Sequence, residues 1–232
     1  MYAMEQLQAG HASHGAAFFA HHQLAGRGQR GKKWESEAGA QIALSVITDC
    51  SGLRQSNPFE WSVAAALAAY DFFSIYAGDE TRIKWPNDLY WRDRKAGGIL
   101  IENVIRGNQW RWAVTGIGIN INQAQFPASA PNAVSLRQIT GKVHDPVQLA
   151  RVLCDTLQQQ FIKLEAGNFD AMLDRYQAHL YKLAQPARLK KGSVVYNTLI
   201  EGVSAEGRLL VAGGNSFGFG EVEWLTDQDA IV

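Results

Sequence analysis

The chain has 232 residues, 47% of them hydrophobic and 19% charged, which is enough apolar material for one sizeable core and a small second module. Its 22 basic and 22 acidic residues give a formal net charge of zero, so no overall positive field favours nucleic acid or an anionic membrane. Any binding of phosphate must therefore be local.

The two cysteines, Cys50 and Cys154, are too few for a disulfide framework, and neither belongs to a metal-binding spacing. The N terminus lacks the basic and apolar regions of a secretory signal, and no apolar stretch reaches a membrane-spanning length. We therefore predict a cytoplasmic protein with reduced thiols, no membrane contact and no tightly bound redox or metal cofactor.

The first part of the chain predicts a sheet and one long helix that share a core. Asn57-Pro58 is a strong helix start, because asparagine caps the free backbone N–H groups and proline is tolerated at the first helical position. Apolar and β-branched runs bounded by glycine or turn residues predict the strands. The predicted elements are a helix at 1–9, strands at 16–20, 41–48, 82–84, 98–104 and 111–121, and a helix from 58 to 76.

Two helices and a β-rich module are predicted next. Asp145-Pro146 repeats the cap-then-proline signal and begins a helix to about Glu165, and Asn168 is expected to cap a helix to about Leu180. Short strands near 187–190, 193–202, 208–212 and 217–225, separated by glycine-rich turns, predict a small, closely turned β-barrel. We place the domain boundary near 184–187, with a first domain at 1–184 and a second at 185–232.

The first candidate site is the loop Gly26-Arg27-Gly28-Gln29-Arg30-Gly31-Lys32-Lys33-Trp34. Its glycines let backbone N–H groups turn inward, and its four cations supply charge-assisted donors to phosphate. The spacing is neither that of a Walker loop nor that of the dinucleotide fingerprint. A basic hairpin loop on the surface explains the composition of this segment about equally well.

The second segment is Lys84-Trp85-Pro86-Asn87-Asp88-Leu89-Tyr90, followed by Arg94-Lys95-Ala96-Gly97-Gly98-Ile99-Leu100. Lys95 precedes small residues and a buried strand, so its ammonium is held close to backbone, where a point charge suits an α-phosphate or a carboxylate. Lys95 is therefore the first catalytic candidate. Taken alone, the segment is more often a solvated charged hairpin whose Asp88 closes a turn.

The third segment, Gly116-Ile117-Gly118-Ile119-Asn120-Ile121-Asn122, alternates glycine or asparagine with isoleucine at strand period. One face packs isoleucines, and the other presents almost no side chain before Asn120, so that a flat ring could lie on the backbone. Close packing of two sheet elements is an equally good explanation.

Together the three segments resemble the biotin protein ligases, in which G-R-G-x-R-G-(R/K)-x-W, K-W-P-N-D-(L/I)-Y with a lysine before G-I-L, and G-(I/A)-G-I-N occur in this order. The resemblance covers nearly the whole chain, in a short form without an N-terminal DNA-binding domain. It implies an α+β fold: a mixed sheet with flanking helices, of the class II synthetase-like ligase type, followed by a small Src-homology-3-like β-barrel.

The resemblance also implies a set of site residues. Lys95 and Arg27 would be catalytic, and biotin and its adenylate would lie among Gln23, Gly26, Arg27, Gly28, Gln29, Lys95 and Gly98. ATP would contact Arg30, Lys32, Trp34, Asn87 and Asn120, and Asp88 would help to place magnesium. The implied activity is formation of biotinyl-adenylate from biotin and ATP, followed by transfer to a lysine of a biotin carboxyl carrier protein, by a monomer or a homodimer.

The chain departs from the family pattern in two places. The family carries a Ser-Thr-Asn triplet before the opening helix, and this chain begins after that point, so we expect a truncated edge and an incomplete biotin pocket. Unpaired ureido groups would cost about 1–3 kcal/mol each and weaken biotin binding about tenfold or more. The second departure is Gln29, where some relatives have arginine, which would loosen retention of the adenylate.

Two alternatives remain open. A lipoate or octanoate protein ligase shares the fold and the adenylation chemistry, although the glycine-arginine loop and K-W-P-N-D argue against it. A biotin-binding remnant with impaired activity would follow from the missing N-terminal segment. A DNA-binding repressor is disfavoured, because no helix-turn-helix precedes the loop and the net charge is zero.

Overall fold

The computed structural model describes residues 2–31, 33–35, 37–53, 57–107 and 109–225. A six-stranded sheet with helices on both faces is followed by a smaller five-stranded sheet. The α+β fold class is thereby confirmed.

The larger sheet has the strand order β1-β2-β6-β5-β4-β3. Every neighbouring pair in it is antiparallel. In the described residues, parallel pairing is confined to isolated bridges to residues outside the named strands, such as Ile83 with Leu180. The strands themselves form an antiparallel sheet, where the sequence predicted a mixed one. Its strands are β1 (Ala17–Phe19), β2 (Gln41–Asp49), β3 (Thr81–Lys84), β4 (Asp88–Trp91), β5 (Arg94–Arg106) and β6 (Gln109–Asn120).

The helices begin where the sequence predicts. The side chain of Asn57 accepts a hydrogen bond from the backbone N–H of Phe59, and that of Asp145 accepts from Val147 and Gln148. Asn168 is the N-cap residue of its helix, as predicted, although its side chain makes no capping hydrogen bond. The helices are α1 (Tyr2–Gln8), α2 (Pro58–Ala77), α3 (Leu136–Thr140), α4 (Pro146–Glu165) and α5 (Phe169–Ala178).

The two faces of the larger sheet have different roles. The long helices α2, α4 and α5 share one large buried cluster with isoleucines of β5 and β6, among them Ile99, Ile117 and Ile119. A second, smaller cluster is formed by Ala3, Ile47 and Val114 with α1 packed against it. The alternation of isoleucine and glycine in β6 thus buries isoleucine on the helical side and leaves backbone exposed on the other.

The smaller sheet has the order β10-β9-β8-β7-β11. The barrel prediction is not met in the described residues, where the outer strands β10 and β11 do not pair with each other and the sheet is open. The segment 217–225, predicted as one strand, is interrupted by turns and a bend after Phe217. Its strands are β7 (Pro186–Lys191), β8 (Val194–Val203), β9 (Leu209–Val211), β10 (Asn215–Phe217) and β11 (Glu223–Leu225).

The two sheets meet in a common core. Leu189, Ile200 and Leu209 of the smaller sheet belong to the same buried cluster as α2. The indole N–H of Trp85 donates to the carbonyl of Gly207 at 3.1 Å, which fixes the turn after β8 to the larger sheet. The smaller sheet begins at Pro186, and the division into domains at 184/185 stays a prediction. Within the described residues, no helix combines the length and hydropathy needed to cross a membrane.

Candidate functional site

A cavity of about 740 Å³ lies on the face of the larger sheet opposite the long helices. Its floor is formed by β5 and β6, where Gly98, Gly116 and Gly118 carry no side chain and Leu100 adds one apolar side chain. The glycine-rich loop covers one side, and the segment from Lys84 to Asp88 forms another. Five residues of the second sheet and the turn before β11 complete the wall: Phe219, Gly220, Val222, Glu223 and Trp224. The floor is therefore largely main chain, on which a flat or extended ligand can lie closely.

The glycine-rich loop is closed at its base by main-chain contacts. The N–H of Trp34 donates to the carbonyl of Gly26 at 3.0 Å. Arg27 and Lys33 form an isolated antiparallel bridge, and residues Gln29–Gly31 form a single 3-10 turn at the tip. The loop is thus a hairpin whose base lies on the sheet and whose tip carries the backbone N–H groups expected to bind phosphate.

Trp34 fixes the end of this loop to the floor. A Cβ atom placed on Gly118 would lie 2.7 Å from the indole ring, so the ring rests directly on this glycine. The indole N–H donates to the side-chain oxygen of Gln41 at 2.5 Å. The flat ring that the glycine pattern predicts on the backbone is, in this structure, the protein's own tryptophan.

Lys95 and Asp88 form an ion pair inside the cavity, with 2.6 Å between the ammonium nitrogen and a carboxylate oxygen. The pair is about one-third exposed, with side-chain exposures of 34% for Lys95 and 27% for Asp88. A Cβ on Gly98 would approach both partners, at 3.2 Å from Asp88 and 3.3 Å from Lys95. Because Gly98 has no side chain, it leaves space for the Lys95 ammonium. The ammonium can therefore contact an anion bound in the cavity.

The turn between β3 and β4 supports this pair. The Trp85–Pro86 peptide bond is cis. The side-chain amide of Asn87 donates to the carbonyl of Ile99, and the N–H of Ile99 donates to the carbonyl of Asn87 at 3.0 Å. Asn87 lies at the cavity, and its amide is engaged in holding the turn against β5.

Most of the predicted site residues are brought together. Arg27, Gly28 and Gln29 line the cavity with Lys95, although they are separated by more than 60 positions in the sequence. Gly26 lies just behind the lining, in the loop base. The side chain of Arg30 and the whole of Lys32 lie outside the described residues. The predicted residues that line the cavity are Gln23, Arg27, Gly28, Gln29, Trp34, Asn87, Asp88, Lys95 and Gly98.

Asn120 differs from the other predicted residues, because it lies outside the cavity lining. It is 4% exposed, and its side-chain amide donates to the carbonyls of Val134 at 3.2 Å and Lys95 at 3.4 Å. The structure therefore gives Asn120 the geometry of a support for the backbone of Lys95. A direct contact with ATP stays a prediction.

Asp88 is the residue that the sequence motif associates with magnesium. Within the described residues, no group of three or more histidine, cysteine, aspartate or glutamate side chains could hold a metal ion. Asp88 points one carboxylate oxygen at Lys95, 2.6 Å away, so a cation there would compete with the ammonium. The role of Asp88 in placing magnesium stays a prediction, and its position favours a role as partner of Lys95.

Sequence reasoning missed several residues at the cavity. Lys84 donates to the hydroxyl of Tyr90 at 3.0 Å and lies 5.2 Å from the ring centre of Trp224. Burial raises the pKa of Tyr90 well above its usual value, so its hydroxyl is protonated. Lys84 belongs to the quoted motif and could have been proposed from it. Trp224 could not, because its segment has no local signal and reaches the site only through packing of the second sheet.

Comparison with known proteins agrees with this architecture. The model of the biotin/lipoate A/B protein ligase family matches residues 2–120. A biotin–[acetyl-CoA-carboxylase] ligase of Paracoccus denitrificans is 30% identical, over 84% of this chain and 82% of the relative. The bifunctional ligase/repressor BirA of Escherichia coli is also 30% identical, over 87% of this chain and 63% of BirA. The chain belongs to the biotin/lipoate A/B protein ligase family, which confirms the resemblance found in the sequence.

Solved structures share the same fold. A biotin protein ligase from Aquifex aeolicus, in complex with biotin and ATP, has a TM-score of 0.81 and 24% identity, over 95% of this chain and 93% of that one. A biotin protein ligase from Leishmania major, in complex with biotinyl-5-AMP, has a TM-score of 0.59 and 24% identity, over 97% of this chain and 94% of that one. At this identity, the likeness establishes the fold.

Proposed function

We propose that the chain is a biotin protein ligase that activates biotin with ATP to biotinyl-5'-adenylate and then transfers biotin to a lysine of a biotin carboxyl carrier protein. The observation that carries the proposal is the Lys95–Asp88 ion pair in a glycine-floored cavity beneath a glycine-rich basic loop. A relative at 30% identity supports biotin as the acid, since it is named as a biotin–[acetyl-CoA-carboxylase] ligase.

In the first step, a carboxylate oxygen of biotin attacks the α-phosphorus of ATP, a P–O bond forms and pyrophosphate leaves. Negative charge on the carboxylate and the α-phosphate must be offset, and the Lys95 ammonium is a cation held close to the floor, beside Gly98. Preorganised charge of this kind typically contributes more to the acceleration than any other single effect. The N–H groups of the loop tip would receive the phosphates.

In the second step, the free amine of the acceptor lysine attacks the acyl carbonyl, AMP leaves and the amine gives up one proton. Lys95 remains charged and stabilises the AMP leaving group. The floor and the loop exclude water from the mixed anhydride, which would otherwise be hydrolysed. Holding both reactants in the cavity supplies much of the acceleration.

The test is ATP–pyrophosphate exchange with biotin and with lipoate as the acid. We expect exchange with biotin, and we expect Lys95→Ala to reduce it by about 10²–10³-fold, the usual cost of losing one preorganised donor. Lys191→Ala is a matched control, because Lys191 also pairs with a carboxylate, at 2.7 Å from Glu221, but does not line the cavity.

The second candidate is a lipoate or octanoate ligase, since the matching family model covers both kinds of enzyme. Exchange supported by lipoate and not by biotin would select it and reject the biotin proposal. Full exchange in the Lys95→Ala protein would reject the assignment of the central residue.

A further inference from the structure

The glycine-rich loop is fixed to the sheet at two separate points. One is Trp34, whose indole rests on Gly118. The other is Arg27, whose guanidinium donates to both carboxylate oxygens of Glu102, at 3.2 and 3.4 Å. Glu102 lies on β5, lines the cavity and was not among the residues that the sequence motifs suggested.

The strand register separates these two points. Gly118 pairs with Gly98, next to the Lys95–Asp88 pair, whereas Glu102 pairs with Val114. Glu102 lies four positions along the extended strand from Gly98, a distance of about 13 Å. Arg27 and Trp34 lie together at the base of the loop, where Arg27 bridges Lys33. Their side chains reach opposite ends of the floor, the indole at Gly118 near Lys95 and the guanidinium at Glu102.

This separation changes the expected role of Arg27. A guanidinium held by Glu102 at the remote end of the floor is poorly placed to offset charge at a phosphate beside Lys95. It is well placed to hold the loop down over the part of the channel that receives the body of an acid whose carboxylate lies at Lys95.

We propose that Glu102 is a positioning residue that, through its ion pair with Arg27, latches the loop over the acid-binding end of the channel. The inference rests on the proposed function for the identity of the acid. Opening the ion pair lifts the base of the loop and lets the acid enter or leave, and closing it retains the acid while the carboxylate reacts at the other end.

The latch predicts different changes in the KM values of the two substrates. Breaking the ion pair should raise KM for biotin more than KM for ATP. Both side chains are partly exposed, 47% for Arg27 and 35% for Glu102, so the pair is of the weak, solvated kind. The expected rise in KM for biotin is about two- to fivefold, the range that such pairs supply.

The experiment compares Glu102→Gln, Arg27→Glu and the charge swap Arg27→Glu/Glu102→Arg. The matched control is Glu221→Gln, because Glu221 has the same 35% exposure in an ion pair with Lys191 outside the cavity lining. We expect both single variants to raise KM for biotin and the swap to restore it. A swap that stays as impaired as Arg27→Glu, or a single variant that lowers kcat at saturating biotin instead, would overturn the latch and return Arg27 to a catalytic role.

A ligand-free measurement separates the latch from the proposed function. Trypsin can cut after Lys33, at the base of the loop, and we expect this cleavage to be faster in the folded Glu102→Gln protein than in the wild type. The Glu221→Gln protein should be cut at the wild-type rate. Equal cleavage in all three proteins would reject the latch. Absence of exchange with biotin in the wild type would reject the proposed function and leave the cleavage result standing.

Discussion

Asp88 is the residue whose role the structure changes most. Its carboxylate holds the Lys95 ammonium at 2.6 Å, although the sequence motif suggested a contact with magnesium. We expect Asp88→Asn to lower kcat by up to about a hundredfold, since a small misplacement of a catalytic group costs that much. Raising the magnesium concentration should not rescue the variant, as shown by exchange rates over a magnesium titration. Recovery at high magnesium would favour the metal-binding role.

His179 is predicted to make stability depend on pH. Its ring stacks on Tyr70 with 4.0 Å between centroids, and burial, with the nearby cations Arg175 and Arg82, lowers its pKa below the usual value of 6.5. As the pH falls below about 6.5, His179 therefore takes up a proton in the unfolded chain before it does so in the folded chain. Proton binding then favours the unfolded state, and the free energy of unfolding decreases.

Urea unfolding at pH 7.5 and pH 5.5 checks the prediction for His179. We expect the wild type to lose more stability between these pH values than His179→Phe, which keeps an aromatic ring against Tyr70. The other five of the six histidines provide the common background in both proteins. Equal losses would show that His179 does not carry the pH dependence.

At the scale of elements, the contact between the loop and the floor depends on Gly118. A Cβ there would lie 2.7 Å from the Trp34 ring, whereas a Cβ on Gly116 meets only the carbonyl of Leu100, at an ordinary 3.5 Å. Gly118→Ala should displace Trp34 and speed hydrogen exchange of the loop amides in the ligand-free protein, and Gly116→Ala should not. Similar exchange in the two variants would contradict the anchoring role of Trp34.

Elements with strong local signals were predictable from the sequence. The caps of α2 and α4, and the alternation of glycine and isoleucine in β6, depend on residues that are neighbours in the sequence. These predictions are confirmed. The helix α3 was missed because it has only five residues, and its capping box, between Ser135 and Gln138, lies in an irregular segment. Asn168 is the N-cap residue of α5, but its side chain makes no capping hydrogen bond, because the residue type alone does not fix the backbone geometry at a helix start.

In the candidate site, too, some residues could be predicted from local sequence and others could not. Its loop and its lysine follow from motifs, but the pairing of Arg27 with Glu102 joins positions 75 residues apart and depends on the register of β5. The part of the wall that contains Phe219 and Trp224 depends on the docking of the second sheet. Contacts of this kind have no signal in local sequence, because they are set by tertiary packing.

For the whole molecule, the shared core predicts that the two sheets unfold together. The turn at Gly207 lies where they meet: its φ is +87°, and a Cβ there would lie 2.7 Å from the ring of Phe59. Gly207→Ala should cost about 1–3 kcal/mol, from backbone strain and the clash combined. At Gly192, φ is +59° and nothing lies within 4 Å of an added Cβ, so Gly192→Ala introduces backbone strain without a clash. It should therefore lower the free energy of unfolding less than Gly207→Ala.

Differential scanning calorimetry checks this prediction. One transition is expected in the wild type, shifted down further by Gly207→Ala than by Gly192→Ala. Two separate transitions in the wild type would show that the sheets unfold independently, in line with the predicted division at 184/185. A larger effect of Gly192→Ala would contradict the importance of the contact with Phe59.

The aromatic lining of the cavity also provides an optical signal. Of the seven tryptophans, Trp34, Trp85 and Trp224 line the cavity, and they come from the loop, the β3–β4 turn and the second sheet. A ligand that enters the cavity changes the surroundings of indoles from three parts of the chain at once. Intrinsic fluorescence therefore reports occupancy by an acid before any ATP is added, and single tryptophan-to-phenylalanine replacements assign the signal to the wall that the ligand touches.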